Sequence, residues 1–189
     1  MHRFKVLFAI GALAVLCVAT TASAGSHPHD RTGFMIGFGV GGGNAGIEDG
    51  DDREWGGVGN FRIGYALRPD LVLHYEGSAW LRTFDTVFGD FTWTFSTHTA
   101  AVSYFPGNTG LLLRGGVGLG VVSVELDSGN ATTERSETGF GFLLAAGYEW
   151  CLSRKFALGP HVEFDYQTYG EDAGWSDQLS GVLDFNWYW

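Results

Sequence analysis

Leu71-Val72-Leu73-His74-Tyr75-Glu76-Gly77-Ser78-Ala79-Trp80-Leu81-Arg82 sets Leu71, Leu73, Tyr75, Gly77, Ala79 and Leu81 against Val72, His74, Glu76, Ser78, Trp80 and Arg82. Successive side chains of a strand point to opposite faces of a sheet, so this period of two makes one greasy face and one polar face. Upstream the same alternation runs through Phe34, Ile36, Phe38 and Val40, and again through Phe61, Ile63, Tyr65 and Leu67. Downstream it takes in Phe91, Trp93 and Phe95, then Leu111, Leu113, Val117, Leu119 and Val121. Phe140, Phe142, Leu144, Ala146, Tyr148 and Trp150 form a sixth segment, and Phe156, Leu158, Val162, Phe164 and Tyr166 a seventh. Leu183, Phe185, Trp187 and Trp189 make the eighth. Eight amphipathic strands are predicted.

A soluble sandwich of such strands would turn a polar face rich in Lys and Glu to water. Here lysine is nearly absent, and the polar faces hold Gly, Ser, Thr and a few charges of both signs. That pattern suits a narrow, filled barrel whose outside meets lipid. Every backbone amide in hydrocarbon must be paired internally, and strands achieve this only by closing into a barrel. The fold class expected is therefore all-β, an eight-stranded antiparallel up-and-down transmembrane barrel. With 45% hydrophobic and 17% charged residues, disorder is excluded, and 30 glycines without a Gly-X-Y period exclude collagen. A formal charge of -10 argues against nucleic acid as a partner.

Arg3 and Lys5 precede an apolar stretch at residues 6–18, and Ala22-Ser23-Ala24 supplies a small-residue cleavage site. Residues 1–24 thus read as a secretory signal peptide for export through the Sec pathway, 25–32 as a periplasmic leader and 33–189 as the barrel. Cys17 lacks the small residues of a lipoprotein signal before it. Loss of Arg3 and Lys5 takes the mature charge to -12, and Cys151 remains the only cysteine, which excludes an intramolecular disulfide.

The connections alternate in length. Arg68-Pro69-Asp70, 106–110 and 151–155 are short, whereas 43–56, 83–90, 127–137 and 170–176 are longer and mostly acidic. Short turns face the periplasm and long loops the exterior in outer-membrane barrels. That orientation predicts two aromatic girdles, with Tyr65, Phe105, Tyr148, Trp150, Phe156 and Trp187 at the periplasmic rim and Trp55, Phe91, Trp93 and Trp175 at the outer one. Pro160 has no N–H for the ladder, so a bulge is expected in the seventh strand.

With a signal peptide, eight strands and the terminal Leu183-Asp184-Phe185-Asn186-Trp187-Tyr188-Trp189, the chain resembles the small outer-membrane β-barrel proteins of OmpA/OmpX type. The resemblance implies an outer-membrane location in a Gram-negative cell. It also implies an assembly signal carried by Phe185, Trp187 and Trp189, read by the barrel-assembly machinery after escort by periplasmic chaperones. Outer-membrane lipid and lipopolysaccharide would surround a monomer. Trp189 stands where Phe is commoner.

The inward set expected to form the lumen network comprises Arg62, His74, Glu76, Arg82, His98, Arg114, Glu149, His161, Glu163, Asp165 and Asp184. Counting through Pro69 brings Arg62 opposite Glu76, and counting through a centre near Thr132 brings Arg114 level with Glu149. Counting through Asn108 puts Gly118 opposite His98 and Gly120 opposite Ser96, where glycine makes room for larger lumen side chains. No cofactor is expected. His27-Pro28-His29-Asp30 reads as a solvated leader that could pick up a transition metal only weakly, and the acidic segment 47–54 reads as a solvated extracellular loop without the EF-hand order of ligands. His74, Glu76 and Ser78 are chemically capable of base and nucleophile roles, but the parity count aims them inward, away from lipid, which argues against a lipid A hydrolase. The expected function is a non-enzymatic barrel, porin-like in architecture, with a filled polar lumen and surface-facing acidic loops. The alternative is a narrow channel for small or apolar solutes, like OmpW.

Overall fold

The computed structural model describes residues 31–47, 53–86, 89–127, 132–170 and 174–189. The signal segment 1–24, leader residues 25–30 and most of the acidic first loop lie outside the described residues. Nine strands follow in chain order: β1 (Gly33–Ile47), β2 (Glu54–Arg68), β3 (Leu71–Thr86), β4 (Gly89–Tyr104), β5 (Leu111–Asp127), β6 (Thr132–Tyr148), β7 (Trp150–Cys151), β8 (Phe156–Thr168) and β9 (Trp175–Tyr188). Each pairs antiparallel with its neighbour, and β1 pairs with β9, which closes the sheet. Both β6 and the two-residue β7 pair with β8 in one register, so they act as a single strand interrupted at Glu149. The result is the expected eight-stranded barrel.

Burial alternates as the pleat demands. In β8 every second residue is buried, and in β2 the buried set includes Val58, Asn60, Arg62 and Ala66. Outward residues such as Val40, Leu67, Val117, Leu119 and Leu144 are more than half exposed, as a lipid-facing wall requires. The turn between β4 and β5 places Gly107 at φ 64° and Asn108 at φ 52°, two left-handed residues of the kinds that tolerate that region.

Pro160 produces no bulge in its own strand. The β8–β9 register runs unbroken through Pro160 opposite Leu183, and the interruption falls instead on the other side, between β6 and β7. Proline withholds its N–H from that side, and Gly159 lets the chain approach so closely that a Cβ there would collide with the Tyr148 carbonyl. Among the described residues the one register shift lies between Ala66 and Arg68, at the Pro69 turn.

The wall is uneven in height. Pairing of β2 with β3 stops at Gly57 and Leu81, and pairing of β6 with β8 stops at Phe140 and Thr168. Strands β3 to β6 nevertheless continue pairing with one another as far as Thr86, Gly89, Asp127 and Thr132. At the end with the longer connections, four strands therefore stand above the rest as a tall sheet. Its inner surface carries Trp93, Phe95 and Val122, packed on a cluster of Ala45, Val58, Trp80 and Val182.

The faces of β4 differ from expectation. Phe95, Thr97, Thr99, Ala101 and Ser103 are buried, whereas His98, Ala100, Val102 and Tyr104 face outward. Phe91, Trp93 and Phe95 thus share the inward parity and cannot belong to a lipid-facing girdle. Phe105 is likewise buried, at the opposite end of the barrel. Trp55 and Trp175 at one rim, and Tyr65, Tyr148, Trp150, Phe156 and Trp187 at the other, keep outward positions, with Phe156 and Trp187 rings 4.9 Å apart.

Candidate functional site

The lumen is built where inward positions of β2, β3, β5, β8 and β9 meet. Arg114 sits at its centre. Its Nη1 donates to Glu76 Oε1 at 2.9 Å, its Nη2 to Asp184 Oδ2 at 3.0 Å and its Nε to Ser103 Oγ at 3.1 Å. Arg62 lies opposite Glu76 in the β2–β3 register, as counted through the short turn. Its guanidinium favours Asp184, with which it forms a close ion pair, and stands 3.8 Å from Glu76. Charge and bond geometry therefore make Asp184 the hub carboxylate shared by two arginines.

His161 adds a third contact to the same group, with Nδ1 3.1 Å from Asp184 and Nε2 3.2 Å from Glu163. Ser78 Oγ donates to the other Glu163 oxygen at 2.8 Å. His74 shares a 2.9 Å hydrogen bond with Ser103 and lies 3.9 Å from Glu76. Asp165 is buried beside this network on β8. Deeper toward the tall wall, Gln167 donates to Thr97 at 2.8 Å. Gly120 leaves room for Gln167, since a Cβ at Gly120 would come within 2.8 Å of the glutamine Cβ.

Three expected members lie elsewhere. His98 faces outward, because β4 pairs with β5 one residue away from the counted register: Thr99 lies opposite Gly118, Thr97 opposite Gly120 and His98 opposite Leu119. There its Nδ1 bonds the Tyr75 hydroxyl at 2.7 Å, over Gly77 in the adjacent position. Arg82 lies beyond the last β2–β3 pair and is held at the rim by Glu54 and by the Trp55 carbonyl at 3.0 Å. Glu149 is not level with Arg114, whose partner in β6 is Ala145.

Glu149 instead anchors a plug that the sequence did not disclose. Arg31, just ahead of β1, is fully buried in the mouth at the short-turn end, and its Nε meets Glu149 Oε1 at 2.6 Å. Asn186 donates to the second oxygen at 2.6 Å, and Tyr188 adds a 3.2 Å bond. The guanidinium carbon lies 3.6 Å above the Phe105 ring, a cation–π contact. Further bonds reach Thr109 O at 3.2 Å, and Pro69 O and Asn108 Oδ1 at 3.4 Å. Burial works against the charge of Arg31, but Glu149, Tyr188 and Cys151 together outweigh it and raise the guanidinium pKa. An Arg before a strand is a weak sequence signal, because nothing in its spacing points to a residue more than a hundred positions away.

The outward parity of β4 also places Ser96 and His98 on the lipid-facing wall, contrary to the count through Asn108 that put both inside. They do not form a nucleophile and base. Ser96 donates to the Val121 carbonyl at 3.4 Å, while His98 is engaged by Tyr75. Among the described residues no group of three His, Cys, Asp or Glu side chains has a metal-binding arrangement.

A lipid-facing belt, a closed antiparallel sheet and a charged interior form one known architecture, and the family model for the outer membrane protein beta-barrel domain matches residues 10–185. The chain belongs to that family. Its location is accordingly the outer membrane. Neisserial surface protein A is similar in structure, with TM-score 0.59 and 17% identity over 82% of this chain and 97% of that one. Ail, the attachment invasion locus protein of Yersinia pestis, gives TM-score 0.56 and 17% identity over 82% of this chain and 99% of that one. At such identity the likeness shows the fold. No curated protein matches the sequence.

Proposed function

We propose that this barrel is a non-enzymatic outer-membrane protein that does not conduct, and that it acts through the surface presented by its tall sheet at the extracellular end. The observation that carries the reading is the network around Arg114. Its side chain touches groups from β3, β4 and β9 at once, and so spans the section through which a solute would have to pass. An eight-stranded barrel has an interior that side chains can just fill. Arg31 adds a second closure at the periplasmic mouth, leaving the outer mouth as the accessible one. The residual edges of the tall sheet, at residues 82–86 and 132–138, keep their ladders with β4 and β5 but have no ladder partner on the side toward β2 and β8 among the described residues, and so suit contact with other surfaces.

Ail has been crystallised with the heparin analogue sucrose octasulfate. The acidic segments of the present chain, Glu48-Asp49-Gly50-Asp51-Asp52 among them, repel such a polyanion and favour neutral or cationic contacts, or lipopolysaccharide bridged by divalent cations. Recording from the refolded protein in planar bilayers tests closure: steady baseline current is expected, and discrete openings would support the conduit. Mass spectrometry of lipid A from expressing and deleted strains tests the absence of catalysis, with identical acylation patterns expected.

A further inference from the structure

The lumen changes character at the outer mouth. The charged network fills the middle of the lumen and a buried apolar cluster its short-turn end, whereas above Thr97 the inward Trp93, Phe95, Val122 and Val124 of the tall sheet face Tyr169 across a cavity of about 240 Å³ that the rim residue Trp175 also lines. An apolar chamber offers water few hydrogen bonds, so hydrocarbon is favoured over solvent inside it. Tyr169 does not alter this. Its hydroxyl is committed to Gln167 Oε1 at 2.6 Å and Ser176 Oγ at 2.8 Å, and burial pushes its pKa up to about 12. Arg135 and Glu137, 2.9 Å apart, supply charge at the rim. The volume equals roughly eight water molecules at ~30 Å³ each, which is room for a stretch of one alkyl chain and too little for a folded partner.

The wall beside the cavity has a notch. Strand β8 ends at Thr168 opposite Phe140, Gly139 still packs against Thr168 and Tyr169, and residues 132–138 of β6 rise without a β8 neighbour among the described residues. Arg135 and Glu137 stand on one side of this gap, and Tyr169 and Trp175 on the other. Outside and just below it lies an aromatic patch. Phe140 is 52% exposed, the Phe142 and Tyr166 rings are 5.4 Å apart, and Tyr166 stacks on Trp175 at 6.0 Å. Such rings mark the level of lipid headgroups, where chains and polar heads meet.

We infer that the outer mouth is a binding cup for a single unbranched hydrocarbon chain, which reaches the cup through the β6–β8 notch and leaves its polar head at the Arg135–Glu137 rim. The chain comes either from an outer-leaflet lipid or from a free amphiphile such as a fatty acid. The lipid source rests on the orientation proposed above, whereas binding of a free amphiphile does not.

The test uses the full mature protein refolded into phosphatidylcholine nanodiscs. Bromine quenches indole fluorescence on contact, and the share due to Trp93 is the difference between the parent and Trp93→Phe. In one arm 12-bromododecanoic acid is titrated into unbrominated nanodiscs, and in the other the phosphatidylcholine chains themselves are brominated with nothing added. Saturable quenching of Trp93 in the first arm alone assigns a free amphiphile, and quenching in the second assigns a lipid chain. Val122→Phe and Val124→Phe each fill the cup, and each is expected to weaken the effect at least tenfold, provided that the heat-dependent gel shift of a folded barrel is retained. No Trp93 quenching in either arm would overturn the inference, as would quenching that persists unchanged in whichever cup-filling variant folds.

Discussion

Arg114 shows how much of the site depends on one side chain. Its guanidinium pairs with Glu76 and Asp184 within 3.0 Å in a lumen where all three groups are buried. Replacing it by Met leaves both carboxylates short of a cation, at an expected cost of about 3 to 5 kcal/mol in urea unfolding measured in lipid. A double-mutant cycle on Arg114→Met and Glu76→Leu should give a larger coupling than one on Arg62→Met and Glu76→Leu, because the second pair is 3.8 Å apart and Arg62 leans on Asp184. Equal couplings would contradict the geometry. The Arg62–Glu76 juxtaposition was legible in the sequence because the Pro69 turn is short and fixes its own centre. The Arg114 pairing was not, since a long loop has no evident centre: the β5–β6 ladder places Arg114 opposite Ala145, four residues from Glu149. Even a correct ladder would have missed Asp184, because that contact crosses the lumen.

At the level of the strand, β4 marks the limit of reading faces from hydropathy. Its apolar residues change parity along its length, from Trp93 and Phe95 on the inward face to Val102 and Tyr104 on the outward one, with no register shift between them. The cause is the tall sheet, whose inner surface is apolar above the membrane while its lower part encloses polar groups. Greasiness therefore identifies the lipid face only within the hydrocarbon layer, and the other seven segments obeyed that rule. Single cysteines in a Cys151→Ala background check the assignment. A membrane-soluble thiol reagent should modify Ser96→Cys, Ala100→Cys and Val102→Cys, and spare Thr97→Cys and Ala101→Cys. The opposite pattern would restore the parity first expected from the aromatic residues.

Across the whole molecule, the chain is joined twice at the short-turn end of the barrel. Closure of the sheet pairs Phe34 with Trp189, whose backbone groups exchange bonds of 3.1 and 2.9 Å. The orientation proposed from the uneven connections is checked on intact cells, where an impermeant maleimide is expected to label Arg135→Cys and not Arg154→Cys.

Arg31 makes the second junction. It contacts the β2–β3 turn through the Pro69 carbonyl, the β4–β5 turn through Asn108 and Thr109, and the end of β6 through Glu149. One side chain thus ties two turns and the end of β6 to the strand that closes the barrel, and it does so from outside the ladder. Arg31→Ala should therefore lower stability without undoing the fold. The loss expected is about 3 kcal/mol, the lower end of the range for breaking a buried pair, because Asn186 and Tyr188 still donate to the stranded Glu149 carboxylate. Urea unfolding in lipid should show the midpoint displaced, while the unheated band on a detergent gel keeps its folded mobility. Combining Arg31→Ala with Glu149→Leu should recover part of the loss, since the carboxylate no longer needs a cation. If Arg31→Ala unfolded at the parent midpoint, the guanidinium would not be seated on Glu149, and the mouth at the short-turn end would lack the closure proposed for it.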